Sequence, residues 1–472
     1  MQEEKLQSEV GKLSKLIICA PHDGIARILP YKCQDWLYED IIDIHEARKE
    51  YSLFVRILLN FVDPEFYSTT KCQNQADLVS FSDPTSSKYF RSDKVMDVMW
   101  LLIDILEKHD DRVELLSAVA TSESIPYKLY RDLVENYSSK ELAYFLITGC
   151  NKENIIIIPP IPNIIMARDI VAFINDHIII GRPCMNARKR ENVIMYSIIN
   201  HHKIFEHYIN RNSIIYLSES SNIFMQSESE IEQYRMALEC GDILVVSKEH
   251  VLIGISERTS ALAANQLVTM LFKNNVVQKA SIIHLPKERF CMHLDTVLTQ
   301  VKPNMWLVFD PILDEVTSLH DHTHKSLKSS LKIFQYARLY DGSVSDPKQF
   351  KSLRTLIENI SKQELGYDHV DIVLCGDGKF PDNWREQWTD GCNSFAVKPG
   401  VIFLYDRNYK TIEALKNKHN FNVISAEQLL EKLDSNELKC DKITDTVITL
   451  KSAELSRARG GPHCLTLPIS RY

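Results

Sequence analysis

The sequence predicts an α/β protein built from a repeated unit of hairpin, helix and strand, with an all-α insertion. Two observations support this prediction. Three segments each show two short apolar runs around a turn, then a helix-like stretch, then a short β-branched run. Residues 85–150 instead show helical periodicity with little strand signal. A repeated unit that cannot bury its own faces points to radial or solenoidal packing, although an ordinary α/β protein with several hairpins remains the alternative.

Three copies of the unit follow one another along the chain. Each opens with a hairpin, whose turn residues are Asn-Asp in the first copy and Pro-Gly in the third. The predicted hairpin, helix and strand are 171–181, 190–205 and 213–219 in the first copy, 243–254, 260–274 and 280–286 in the second, and 395–405, 409–419 and 421–427 in the third. The segments 16–21 and 305–319 are candidates for the openings of two further units.

These elements divide the chain into three predicted parts. Residues 1–84 would hold the first unit and the start of the helical region, residues 85–150 the helical insertion, and residues 151–472 the remaining units. No low-complexity linker separates the insertion from its flanks. We therefore expect the insertion to pack onto the main body.

Length and composition exclude several classes of protein. At about 150 residues per domain, 472 residues give roughly three domains or one large fold with an insertion. The 55 Lys and Arg against 63 Asp and Glu give a net charge of −8, which argues against a general nucleic-acid or membrane-surface binder. The N-terminus has no apolar signal segment, and the apolar stretch 98–106 is far shorter than the roughly 20 residues of a membrane span. Eleven scattered cysteines without a C-x-x-C motif indicate a reducing compartment, so we expect a cytoplasmic protein.

Five short segments are candidates for carrying chemistry. They read N-I-I-M-A-R-D, M-N-A-R-K-R-E, E-C-G-D, M-H-L-D-T and R-G-G-P-H-C, and they begin at residues 163, 185, 239, 292 and 459. Each is weak alone, because an Asp after an Arg is more often a structural ion pair than a ligand. His293 and Asp295 have the spacing of one strand face, which suits a histidine and a carboxylate acting together. The glycines before Cys464 indicate a tight loop that presents this thiol.

Two other patterns offer different chemistry. The segment H-D-H-T-H would place His320, His322 and His324 on one face of a strand, where they could bind zinc. A polar Lys/Ser stretch follows it, which favours a solvated loop, so we predict no metal. The turn G-D-G-K at 376–379 lacks the G-K-[ST] signature, which excludes a P-loop.

Taken together, the five segments resemble the arginine deiminase family of the guanidine-modifying superfamily. The resemblance runs nearly end to end, from S-E-V-G-K-L-S-K-L-I-I-C-A-P through R-E-Q-W-T-D-G-C-N-S at 385–394 to H-C-L-T-L-P-I-S-R at 463–471. It implies a pseudo-fivefold α/β propeller of hairpin–helix–strand units around a central site, with a helical bundle inserted where the helical stretch lies. It also implies hydrolysis of L-arginine to L-citrulline and ammonia without a cofactor.

The resemblance implies five catalytic residues. Cys464 would attack the guanidinium carbon and form a covalent thiouronium, and His293, held by Glu239, would act as acid and then as base. Asp169 and Asp295 would hold the guanidinium nitrogens. The chemistry fits this set, because a guanidinium is planar, delocalised and permanently charged, and paired carboxylates can bind it bidentately while its carbon faces a thiolate.

The resemblance also implies five substrate-binding residues. Asn163, Arg188 and Arg258 match the positions that bind the α-carboxylate. Asn393 would contact the amino-acid end of the substrate, and Arg459 matches a mobile arginine that gates the site.

The chain departs from the family pattern in the pocket wall. The departures are Met166, Ala167, Ile170, Cys240 and Pro462. They remove no catalytic group but put the substrate preference in doubt, so the alternatives are a divergent guanidino-compound hydrolase or an amidinotransferase, and then a catalytically silent binding protein. The expected partner is a small molecule, L-arginine, with no nucleic acid and no membrane, and a homo-oligomer is allowed.

Overall fold

The computed structural model describes residues 4–69, 80–84, 86–217, 236–314 and 331–472. The strands are β1 (Leu13–Ile18), β2 (Val95–Asp97), β3 (Val171–Ile174), β4 (His177–Ile180), β5 (Ile214–Tyr216), β6 (Ile243–Ser247), β7 (His250–Ile255), β8 (Lys279–His284), β9 (Leu298–Lys302), β10 (Met305–Val308), β11 (Ile333–Ala337), β12 (Lys348–Phe350), β13 (Asp371–Leu374), β14 (Phe395–Lys398), β15 (Val401–Tyr405), β16 (Asn422–Ser425), β17 (Thr446–Leu450) and β18 (Thr466–Arg471). The helices are α1 (Ile44–Val62), α2 (Pro64–Thr69), α3 (Val98–Leu106), α4 (His109–Ser122), α5 (Tyr127–Asn136), α6 (Ser139–Thr148), α7 (Lys189–His201), α8 (Glu206–Asn210), α9 (Ala261–Lys273), α10 (Leu353–Asn359), α11 (Asp382–Trp388), α12 (Tyr409–His419) and α13 (Ala426–Asp434). Within the described ranges, no helix is long and apolar enough to cross a membrane.

The described strands form five sheets of a mixed α/β fold, and all five sheets share one arrangement. Each contains an antiparallel pair of strands, and the second strand of the pair also has a parallel neighbour. The five sets are β18-β1-β2, β3-β4-β5, β6-β7-β8, β9-β10-β13 and β14-β15-β17. Strands β11 and β12 extend the third sheet, and β16 extends the fifth.

The three predicted copies of the repeat are confirmed by the described elements. Helix α7 lies between β4 and β5, α9 between β7 and β8, and α12 between β15 and β16. The turns form because Asn175 and Gly400 adopt the positive φ values of +54° and +74° that their hairpins require. In the third copy, β17 pairs between β15 and β16, so the predicted strand becomes an edge strand.

The two remaining units differ from the sequence prediction in their openings. The unit at 16–21 begins with β1, but its antiparallel partner is β18, at the other end of the chain. The unit predicted at 305–319 begins earlier, with β9, and its second strand is β10. Residues 315–319 of that prediction lie outside the described residues.

Helices α3 to α6 form the helical region and pack on the second sheet. Leu102 of α3 and Phe145 of α6 belong to the same buried cluster as Phe173 and Ile179 of β3 and β4. The predicted range 85–150 also contains β2, which belongs to the first sheet. The domain boundaries themselves remain a prediction.

Most residues of the candidate site lie at the equivalent end of each sheet. In an antiparallel pair, the start of the first strand and the end of the second lie at the same end of the sheet. In four sheets a residue of the site stands shortly before the first strand of the antiparallel pair: Asp169 before β3, Glu239 before β6, Asp295 before β9 and Asn393 before β14. In the remaining sheet, Cys464 stands shortly before β18. Arg188 and Arg258 follow the second strands β4 and β7, and therefore lie at the same ends of their sheets.

Candidate active site

Cys464 is a buried thiol beside a carboxylate. Its Sγ lies 3.5 Å from Oδ2 of Asp295, and its backbone N–H donates to Oδ1 of Asn393 at 3.1 Å. Burial raises the pKa of the Cys464 thiol well above its ordinary value, and the charges of Asp295, Asp169 and Asp390 raise it further. Without a cation nearby, Cys464 is therefore protonated at neutral pH.

His293 forms a buried hydrogen-bonded pair with Glu239. Its Nε2 donates to Oε2 of Glu239 at 2.8 Å, and its Nδ1 lies 3.7 Å from Oδ1 of Asp169. Burial lowers the pKa of His293, but the negative charges of Asp169, Glu239 and Asp242 outweigh burial and raise the pKa to about 9. His293 therefore carries a proton at neutral pH, and Nδ1 is the nitrogen that faces Asp169.

The two aspartates predicted to hold a guanidinium each keep one buried oxygen that accepts no hydrogen bond from the described residues. These oxygens are Oδ1 of Asp169 and Oδ1 of Asp295. The other oxygens are taken, because Oδ2 of Asp169 accepts from Nη1 of Arg188 at 2.6 Å and Oδ2 of Asp295 accepts from Nδ1 of His463 at 2.8 Å. Buried acceptors are nearly always hydrogen-bonded, so the two Oδ1 atoms are available to a cationic donor such as a guanidinium.

Arg188 lies within the acidic cluster rather than at its edge. Its Nη1 contacts Asp169 at 2.6 Å and Oε2 of Glu239 at 3.3 Å, and its Nε donates to Glu191 at 2.9 Å. Its Nη2 donates to the backbone oxygen of Asn163 at 3.3 Å. This placement does not demonstrate the α-carboxylate role predicted for Arg188, since in that role the guanidinium would turn away from Asp169.

Arg258 and Asn163 lie next to this cluster. Nη1 of Arg258 is 3.8 Å from Oε1 of Glu239, and its Nε donates to Glu257 at 3.3 Å. The side-chain amide of Asn163 donates to the backbone oxygen of Trp36 at 2.6 Å. Arg258 is thus held less tightly by protein carboxylates than Arg188 is.

Asn393 connects two catalytic segments. Its Nδ2 donates to the backbone oxygen of Asp295 at 3.0 Å, while its Oδ1 accepts from the backbone of Cys464. These contacts orient the loop of the thiol relative to the loop of the carboxylate. They leave the predicted contact with the amino-acid end of a substrate without direct support.

Arg459 stacks on an aromatic ring. Its guanidinium lies 4.1 Å from the ring centroid of Trp388, its Nη2 donates to the backbone oxygen of Phe290 at 3.4 Å, and its Nε lies 3.9 Å from Asp390. Its backbone has a φ of +62°, a strained value for a residue with a side chain. The cation that pairs with Asp169 is Arg188 and not Arg459.

Sequence reasoning missed several charged residues of the site. They are Glu9, Arg168, His463, Glu191 and Asp242. Their position within or beside the quoted motifs could have identified them as residues of the site. Glu9 lies in S-E-V-G, and His463 directly precedes Cys464.

Among the described residues, one set of three side chains could offer ligand atoms to a metal ion. Asp169, Glu239 and His293 each offer an atom within 4.8 Å of the others. In this structure the guanidinium of Arg188 is the cation beside two of them. The candidate zinc segment 320–324 lies outside the described residues.

Comparison with known proteins shows to which family the chain belongs. The sequence model of the family described as "Arginine deiminase" matches residues 34–471. The chain belongs to the arginine deiminase family. The members of this family are hydrolases that act on carbon–nitrogen bonds of linear amidines.

Curated relatives of the family match over nearly their whole length. The arginine deiminase of Borreliella afzelii strain PKo is 27% identical over 471 residues, which cover 98% of this chain and 97% of the relative. The arginine deiminase of Staphylococcus aureus strain MRSA252 is 26% identical over 471 residues, which cover 99% and 98%. Among solved structures, an amidinotransferase from Microseira wollei is 14% identical with a TM-score of 0.45, covering 99% of this chain and 97% of that one. A structural likeness of this size supports no conclusion about the present chain.

Proposed function

We propose that this protein is an arginine deiminase that hydrolyses L-arginine to L-citrulline and ammonia through a covalent thiouronium on Cys464. One observation supports the proposal most directly. The thiol of Cys464 adjoins Asp295, and the free Oδ1 atoms of Asp169 and Asp295 lie in the same buried site as the His293–Glu239 pair. Family membership supports the same reaction.

Substrate binding would activate the nucleophile. A guanidinium that donates to the two free oxygens places a positive charge among the carboxylates that raise the pKa of Cys464. This charge cancels part of their field, lowers the pKa of the thiol and stabilises the thiolate. The thiol releases its proton to solvent when the substrate is bound, and the thiolate therefore forms next to the carbon that it attacks.

The covalent steps use His293 twice. The thiolate attacks the guanidinium carbon, Nδ1 of His293 gives its proton to one terminal nitrogen, and the carbon–nitrogen bond breaks to release ammonia. The neutral imidazole then takes a proton from water as the water oxygen bonds to the same carbon. The carbon–sulfur bond then breaks, the proton of the new hydroxyl group passes to the sulfur, and citrulline leaves with Cys464 restored to its thiol. Glu239 holds Nε2 throughout, which keeps Nδ1 directed at the substrate.

The amino-acid end of the substrate would meet the arginines. Arg258 is the better-placed ligand for the α-carboxylate, because its guanidinium keeps only a 3.3 Å bond to Glu257 and a 3.8 Å contact to Glu239. Arg188 would join it by turning from Asp169, and Asn163 would complete the site. Arg459 would act as the gate, with its stack on Trp388 as one of its two positions.

The arrangement of the sheets is part of the proposal. Five sheets share one strand pattern, and the residues at the same end of each sheet make up the site. This pattern supports a pseudo-fivefold propeller around a central pocket. The homo-oligomer and the cytoplasmic location stay predictions from the sequence.

A citrulline assay with L-arginine tests the function. Wild-type protein should form citrulline, and Cys464→Ser should lose turnover by about a million-fold, the loss seen when a hydrolase loses its nucleophile. Cys291→Ser is the matched control, because Cys291 is also a buried thiol but lies outside the site. Turnover in Cys464→Ser above a hundredth of wild type would exclude the assignment.

The same assay separates the alternatives. Incubation with L-arginine and glycine would yield ornithine from an amidinotransferase and citrulline from a deiminase. A protein that yields neither, while Cys464 still reacts with a haloacetamidine, would be a hydrolase for another guanidino compound. A protein that shows neither turnover nor this reaction would be a silent binding protein.

A further inference from the structure

We propose that His463 is a positioning residue, which holds Asp295 through a hydrogen bond from Nδ1 and is itself held by Glu9 through Nε2. This inference deepens the proposed function and rests on it. Neither residue belongs to the catalytic set described above, and neither is placed to touch the substrate by any contact of the structure.

The two ring nitrogens of His463 both face carboxylates. Nδ1 lies 2.8 Å from Oδ2 of Asp295, and Nε2 lies 3.2 Å from Oε2 of Glu9. All three residues are under 5% exposed. An ionised carboxylate only accepts, so a ring nitrogen that contacts one must donate to form the hydrogen bond. Burial opposes the ionisation of Asp295, but the bond from His463 holds the pKa of Asp295 below its ordinary value.

Glu9 is fixed on its other side. Its Oε1 accepts from Nη2 of Arg168 at 2.6 Å and from the backbone N–H of Val245 at 3.0 Å. Its own backbone N–H donates to the oxygen of Val245 at 2.8 Å. Glu9, Arg168, His463 and Asp295 therefore form one connected, buried network. Hydrogen bonds that link several buried groups hold the ring of His463 more firmly than a single contact would.

The network decides which oxygen of Asp295 meets the substrate. Oδ2 accepts from His463 and from the thiol of Cys464, while Oδ1 stays free. If His463 did not donate, the carboxylate could rotate or take up a proton, and it would then present a different group to the guanidinium. A displacement of about 1 Å at a reacting centre can cost a hundredfold in rate. His463 thus acts on the reaction through Asp295.

A purely structural ion pair is the alternative, and two isosteric substitutions distinguish it. The amide nitrogen of asparagine overlies Nδ1 of histidine, and the amide nitrogen of glutamine overlies Nε2. His463→Asn keeps the donor to Asp295 and loses the one to Glu9, whereas His463→Gln does the reverse. We expect His463→Asn to keep kcat/KM for L-arginine within about tenfold of wild type, and His463→Gln to lose at least a hundredfold. Equal losses in the two variants, or no loss in either, would overturn the proposal.

The role of Glu9 is tested by a double-mutant cycle. Glu9→Ala should lower kcat/KM. Glu9→Ala combined with His463→Gln should have a kcat/KM no lower than that of His463→Gln alone, because without the imidazole ring Glu9 has no route by which to act on Asp295. Effects that multiply would show that Glu9 acts independently of His463 and would overturn this part. Circular dichroism of each variant confirms that the folded protein is compared.

A second probe separates this inference from the proposed function. Chloroacetamidine carries a cationic amidine and alkylates thiols, so it reports on Cys464 and on the carboxylates without turnover. We expect His463→Gln to react at least tenfold more slowly than His463→Asn, and neutral chloroacetamide to show no such difference. If wild type forms no citrulline, the proposed function fails, yet this rate still tests the inference. Equal chloroacetamidine rates would overturn it.

Discussion

The same buried negative charge acts on two neighbouring groups of the site. It raises the pKa of Cys464, which keeps the thiol protonated, and it raises the pKa of His293, which keeps the imidazole charged. In the proposed mechanism the free enzyme therefore holds an acid but no nucleophile. The nucleophile would form only when a cation enters among the carboxylates, so the selection of a cationic substrate and the activation of the thiol would be one event.

The first prediction concerns the pH dependence that Glu239 imposes. His293 is charged below about pH 9, so kcat/KM should fall as the pH rises through that value. Glu239→Gln removes the carboxylate that stabilises the imidazolium, so the alkaline limb should move to lower pH. The measurement is kcat/KM for L-arginine from pH 5 to about pH 10. Glu364→Gln is the control, since Glu364 pairs with His250 outside the site at 2.8 Å. An alkaline limb that stays in place in Glu239→Gln contradicts the assignment.

The second prediction concerns recognition of the α-carboxylate by Arg258. Truncating one partner of a buried charge pair costs roughly 2–5 kcal/mol, so Arg258→Ala should weaken L-arginine by about thirtyfold or more. Agmatine lacks the carboxylate, so it should be a poor substrate of wild type and should lose little further in Arg258→Ala. Arg457→Ala is the control, because Arg457 is a partly exposed arginine paired with Asp40. Equal turnover of agmatine and L-arginine by wild type would refute specificity for free arginine.

The resemblance carried by the five short segments predicted much of the site. The structure brings Cys464, His293, Glu239, Asp169 and Asp295 into one buried cluster, and their roles remain a proposal. The pairing of Arg188 with Asp169 was not predictable. The partner of a buried arginine depends on side-chain rotamers and on how separate loops meet, and neither leaves a pattern in the sequence.

At the scale of elements, α6 shows how local chemistry ends a helix. It begins with a capping box in which Ser138 and Glu141 exchange bonds, and it ends where the N–H of Gly149 donates to Phe145. Gly149 has a φ of +73°, and a Cβ there would lie 1.9 Å from the backbone oxygen of Ile158. Both the conformation and the space therefore require glycine.

The third prediction separates those two requirements. Gly149→Ala should destabilise the protein through the left-handed conformation, which costs about 1–2 kcal/mol, and through the clash with Ile158. Gly366→Ala is the matched control, because Gly366 has a φ of +76° with no atom within 4 Å of its added Cβ. Thermal unfolding should therefore show a larger loss for Gly149→Ala than for Gly366→Ala. Equal losses would mean that the backbone at Ile158 moves without cost.

Elements with local signals were predictable, and those set by distant pairing were not. Turn residues and apolar periodicity located the three hairpins and their helices, since both features act within a few residues. The insertion of β17 between β15 and β16 depends on which strand reaches the sheet, as does the pairing of β1 with β18. These choices follow from packing across the whole chain.

At the scale of the whole molecule, the two ends of the chain build one sheet. Strand β18 pairs with β1 along its length, and the backbones of Lys12 and Tyr472 exchange two hydrogen bonds of 2.9 Å. Cys464 lies just before β18, so we expect its thiol to reach the site only when this pairing forms.

The fourth prediction concerns the order of refolding. Pairing between the chain ends has a very large sequence separation and should form late, whereas the contacts around Cys291 join segments that are closer in the chain. In refolding from denaturant, we expect Cys291 to become protected from alkylation before Cys464 does. Pulses of a thiol reagent at increasing times, with mass spectrometry of each cysteine, measure this order. Simultaneous protection of both thiols, or earlier protection of Cys464, would contradict it.

The same closure of the chain on itself has a consequence during synthesis. On the ribosome, β1 is translated long before its antiparallel partner β18, because the strands of the four other sheets lie between them in the chain. A nascent chain thus holds the acidic pocket residues but neither the thiol nor the strand that seats it. A chain cut short before Cys464 lacks the proposed nucleophile, so we expect it to form no citrulline.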